Sequence, residues 1–159
     1  MSTPVSPDPS GRGRVVVAAG RLWGGGVATG LVAALIAVVG VVICDKVLDL
    51  DLVQPAALVP IGDSFALSYA VTAFILALVA TGLAHLLAVT TPRPRSFFRW
   101  IVGLATLAAV ALPFALTGSP ASKIGTAVIN LAIGVAIGSL LTAVLARTVT
   151  DPDRSWQRP

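Results

Sequence analysis

The chain has 159 residues, of which 56% are hydrophobic and 11% charged, with a formal net charge of +4. Soluble chains carry about a quarter charged residues, so a water-soluble enzyme or a disordered signalling chain is a poor fit. Nine of the eleven cations are arginines placed beside apolar runs rather than in a patch; that placement marks a membrane protein and speaks against nucleic-acid binding.

Residues 1–20 form a tail rich in Ser, Pro and Gly, ending in Gly11-Arg12-Gly13-Arg14 and a short apolar stretch up to Ala19. It holds too little apolar surface to order itself and is expected to stay mobile. A first apolar run covers Leu22 to Cys44, 23 residues without a charge; about 20 suffice to cross a bilayer core. The run is longer than a signal-peptide core and lacks a small-x-small cleavage site, so an uncleaved helix is predicted. Gly26 and Gly30 form a GxxxG in it, a spacing that lets another backbone approach closely. Trp23 sits at its start as an interfacial anchor. Cys44 is the one cysteine, which excludes an internal disulfide and any CxxC site.

The connection at 45–64 holds Asp45, Asp49, Asp51 and Asp63 against a single Lys46. The Leu48-Asp-Leu-Asp-Leu52 alternation has the two-residue period of a short strand, while Pro55 and Pro60 prevent a long helix. Carboxylates on one loop could hold a hard cation. No EF-hand spacing is present, however, and acid-rich outer loops follow from excluding Arg and Lys. An apolar lid over the helix ends is the favoured reading, with no metal site and no cofactor.

The second span is predicted at Phe65–Val89 and contains the only histidine, His85. An intramembrane ionisable group is a functional candidate by default, but no span carries a carboxylate to pair with it, and a structural polar contact is the default. The third span is predicted at Phe98–Leu116, with Pro113 kinking its last turn or opening its exit. Ahead of it, Arg93, Arg95, Arg99 and Trp100 read as an anchor on an anionic leaflet.

The fourth span is predicted at Ile124–Ala146. Asn130, Gly134 and Gly138 fall on one face, the glycines as a second GxxxG. Asn130 is the most polar residue deep in any span, so this face is either packing inside one bundle or a polar seam between subunits. Ser139 lies at a depth comparable to His85, but no GxSxG or glycine-rich oxyanion context surrounds it, which disfavours a hydrolase.

The arginines fix the expected threading. Arg12, Arg14, Arg21, Arg93, Arg95, Arg99, Arg147, Arg154 and Arg158 fall on one side, and only Lys46 and Lys123 on the other. Short loops with that bias place both termini in the cytoplasm. The expected architecture is an all-α, integral-membrane four-helix bundle, N-in and C-in, in the plasma membrane. It comprises a tail at 1–20, a membrane domain at 21–147 and a C-terminal tail at 148–159. Any homo-oligomer would be parallel.

Three stretches carry a resemblance: Asp51-Leu-Val-Gln-Pro55 with Pro60 after it, Arg93-Pro-Arg95 with Phe98-Arg99, and Val128-Ile-Asn-Leu131. Over about Leu22 to Arg147 the chain resembles short actinobacterial membrane proteins grouped as a domain of unknown function. That resemblance implies a four-span fold and transfers no functional residues. The leading expectation is a non-enzymatic accessory or structural membrane subunit, with the bilayer and a protein partner or second copy as its contacts. The alternative is a small oligomeric transporter or channel built around Asn130.

Overall fold

A computed structural model of the chain describes residues 19–53, 63–91 and 93–148. Four helices follow in order: α1 (Ala19–Val42), α2 (Phe65–Thr90), α3 (Pro94–Ala115) and α4 (Pro120–Thr148). All four are long and apolar enough to cross a membrane. The architecture is therefore the all-α four-helix bundle that the apolar runs predict. The tails at 1–18 and 149–159 and the loop segment 54–62 lie outside the described residues.

Helix ends differ from the apolar runs because polar residues extend a helix past the lipid. Pro94 and Pro120 open α3 and α4 ahead of the apolar stretches, since a missing N–H costs nothing in a first turn. α2 begins at a capped end, where Ser64 Oγ accepts from the Leu67 N–H at 3.3 Å. α1 runs on through a π-helical turn, Ile43–Val47, closed by Leu48 N–H to Ile43 O at 3.1 Å. At 22 residues α3 is the shortest helix, about 33 Å long, just enough for a core of ~30 Å.

The two-residue period at Leu48–Leu52 does not produce a strand; among the described residues there is none. Asp49 takes a left-handed conformation, φ 50°, which breaks the extended backbone, and no neighbouring strand offers a ladder. The alternation still sorts side chains: Leu50 and Leu52 turn inward against the core, while Asp49 and Asp51 stay exposed.

α1 lies between α2 and α4, and α3 leans on α4 with a lighter touch on α2. Small residues make this closeness possible. Ala33 and Ala37 of α1 and Ala73, Ala77 and Ala84 of α2 are buried, opposite a stripe of Ile129, Ile133, Ile137, Leu141 and Leu145 on α4. Lipid tails provide no hydrophobic drive for helix association, so close van der Waals packing has to hold the bundle. α3 is the outlier. Only Phe98 and Pro113 of it are buried, and Leu104, Leu107 and Phe114 face outward.

Candidate functional site

The polar centre of the bundle starts with a proline. Pro113 lies inside α3 and has no N–H for the carbonyl four residues back, that of Ala109. Asn130 of α4 supplies the missing donor: its Nδ2 donates to Ala109 O at 2.7 Å. A carbonyl can only accept, so this bond fixes the amide with its oxygen facing α2. There Asn130 Oδ1 accepts from the Tyr69 hydroxyl at 2.5 Å. Tyr69 is buried and tilts against Phe65, ring centroids 5.6 Å apart. One amide thus ties three helices together. Such bonds contribute about 0.6 kcal/mol each in a membrane, up to ~1.7.

Three interior threonines bond within their own helices. Thr29 donates to Gly25 O at 2.8 Å, Thr72 to Ser68 O at 2.7 Å and Thr81 to Ala77 O at 2.7 Å. These back-bonds keep a hydroxyl inside an apolar helix at little cost.

At the end of the bundle near this clasp lies a cleft of about 610 Å³, lined by residues 49–53 and 116–119 with Ser122. Thr126 ties two of its lining residues: its Oγ1 accepts the Val53 N–H at 3.1 Å while its own hydroxyl donates to Ser122 O at 3.0 Å. Ser119 Oγ accepts the Ser122 N–H at 3.1 Å and starts α4. Gly118 makes the preceding turn at φ 156°. Cys44, Leu52 and Leu50 close over α4 at Gly125, where a Cβ would lie 3.4 Å from Cys44 Sγ, an ordinary contact. Asp49 and Asp51 stand on the rim, whereas Asp45 pairs with Lys46 at 2.8 Å. Among the described residues no group of three His, Cys, Asp or Glu side chains is close enough to hold a metal.

The two GxxxG pairs face neighbours within the monomer. A Cβ at Gly134 would fall on the Thr106 side chain and one at Gly138 would sit 3.3 Å from Val102, both on α3. A Cβ at Gly26 would fall on Thr81 and one at Gly30 within 2.8 Å of Phe74, both on α2. His85 is partly buried near the far end of α2, and its Nδ1 is buried with no hydrogen-bond partner. Ser139 is exposed and donates to Ala136 O at 3.2 Å, so its hydroxyl serves its own helix. Trp23, Arg93, Arg95, Arg99 and Trp100 are all exposed at the end opposite the clasp.

Hydropathy singles out Asn130 but not its partners. Tyr69 reads as one more interfacial ring, and the carbonyl it helps to serve belongs to an alanine. The available signal was Pro113, because an interior proline always leaves a carbonyl that something must satisfy.

Over residues 17–137 the chain matches a protein family described as a family of unknown function (DUF6069). No curated protein and no solved structure matches it.

Proposed function

We propose, on the premise that the chain belongs to the family of unknown function DUF6069, that it is a non-enzymatic accessory or structural subunit of the plasma membrane. The coarser part of this reading, a multi-pass membrane protein, follows from the four apolar helices. What supports the finer part is the state of Asn130. One N–H of its amide and the amide oxygen both make fixed contacts within the bundle. A transport path needs polar groups that exchange partners with a moving solute, and the amide best suited to that is committed to holding helices. The arginine bias supports a threading with both termini on the cytoplasmic side, and a membrane-protein partner or a parallel second copy is the expected associate.

Reconstitution into proteoliposomes tests the choice. The purified chain alone should leave vesicles as tight to small ions and solutes as protein-free controls. A flux that Asn130→Leu abolishes while the helical signal is retained would instead establish the transporter reading.

A further inference from the structure

The two ends of the bundle carry opposite charge. Every described carboxylate, from Asp45, Asp49, Asp51 to Asp63, lies at the end where α1 finishes and α2 begins. At the other end Arg21 lies in the first turn of α1, Arg93 precedes α3, Arg95 and Arg99 lie in its first two turns, and Arg147 is in the last turn of α4. All five are exposed. The ion pair found among the described residues, Lys46 with Asp45, belongs to the acidic end. Cations gathered without an anion repel one another, and an added anion relieves that repulsion.

One of these arginines is held in place. Arg95 Nη2 donates to Ala146 O at 2.9 Å, in the last turn of α4. That bond sets the guanidinium on the seam between α3 and α4, where Arg147 follows Ala146 directly. Arg99 comes four residues after Arg95, on the same face of α3. α3 also starts without a side-chain cap from Arg93, so the positive pole of the helix adds to the charge at this end. The aromatic rings of Phe97 and Trp100, 54% and 71% exposed, flank the group at the level such rings prefer, among lipid headgroups.

We propose that Arg95 and Arg99, with Arg147 beside them, form a binding site for the phosphate of an anionic phospholipid. Guanidinium forks suit phosphate oxygens, and basic groups between transmembrane helices are suited to lipid headgroups. The flanking rings favour a lipid over a soluble acidic protein, because they would meet its glycerol and acyl region. The site rests on the membrane reading but not on the accessory role, so failure of one leaves the other standing.

Thermal unfolding of the full chain in neutral detergent, with and without added lipid, tests the site, and native mass spectrometry counts retained lipid. Phosphatidylglycerol should raise the melting temperature by about 2–4 °C per guanidinium contact and stay bound, whereas phosphatidylcholine and inorganic phosphate should do neither. Arg95→Gln/Arg99→Gln should lose most of the shift and Arg21→Gln should keep it. Because Arg95→Gln also frees the Ala146 carbonyl, Arg99→Gln alone is the second variant and should lose about half. The site is overturned if phosphatidylcholine or free phosphate stabilises equally, if Arg99→Gln keeps the full shift, or if Arg21→Gln loses as much as the double variant. It also fails if phosphatidylglycerol does nothing while Asp151→Asn/Asp153→Asn lowers the melting temperature, for then the chain's own tail occupies the cluster.

Discussion

Asn130 and Pro113 are two halves of one solution to the same problem. The proline removes a backbone donor, and the amide replaces it from another helix. Asn130→Leu should therefore cost about 1–2 kcal/mol, because it strands both Ala109 O and the Tyr69 hydroxyl. In a Pro113→Ala background the backbone N–H returns, and the same substitution should cost about half as much. A double-mutant cycle of unfolding in mixed micelles measures that coupling, and equal costs in both backgrounds would separate the two residues. Tyr69→Phe, which removes one bond only, should cost less than Asn130→Leu. The glycines divide just as sharply. Gly134→Val drives a β-branched side chain onto Thr106, whose hydroxyl is bonded to Val102 O at 2.7 Å and cannot turn away freely. Overpacking of about 1–3 kcal/mol is expected. Gly138→Ala meets only Val102 at 3.3 Å and should be nearly neutral in the same assay.

At the scale of elements, the four helices were legible because long apolar runs admit no other structure in lipid. Their partners were not. GxxxG at Gly26 and at Gly134 announces a close approach without naming the approaching helix, which tertiary packing decides. The acidic connection has a strand's period without being a strand, for a physical reason. A two-residue period sorts side chains by face in any extended segment, but a strand also needs a ladder to bond with, and residues 48–53 spend the Val53 N–H on Thr126 instead. Asp49 holds the decisive conformation, φ 50°, which asparagine, aspartate and glycine tolerate and β-branched residues do not. Asp49→Val should lower stability by about 1–2 kcal/mol and Asp49→Gly should leave it unchanged or slightly raised. Denaturation midpoints of the two variants give the comparison.

On the scale of the molecule, charge is segregated along the bundle axis, with described carboxylates at one end and five arginines at the other. If the arginines face the cytoplasm, a reporter fused within the 91–95 turn should be active in its cytoplasmic form. One fused at Gly118 should be active in its exported form. The reverse pattern would turn the whole bundle over without altering a single internal contact. The order of residues alone announced this polarity, because placement of arginines in short loops needs no knowledge of packing.

α3 also has a history that its thin burial implies. During synthesis it emerges third, and the surface that eventually holds it, the face of α4 with Asn130, Gly134 and Gly138, is not yet made. Until the ribosome delivers α4, the carbonyl of Ala109 stays without its donor and the Thr106 side chain without its socket. A nascent chain arrested near residue 119 should therefore display a loosely held third helix to membrane chaperones and quality-control proteases. Extension past residue 148 should end that vulnerability abruptly.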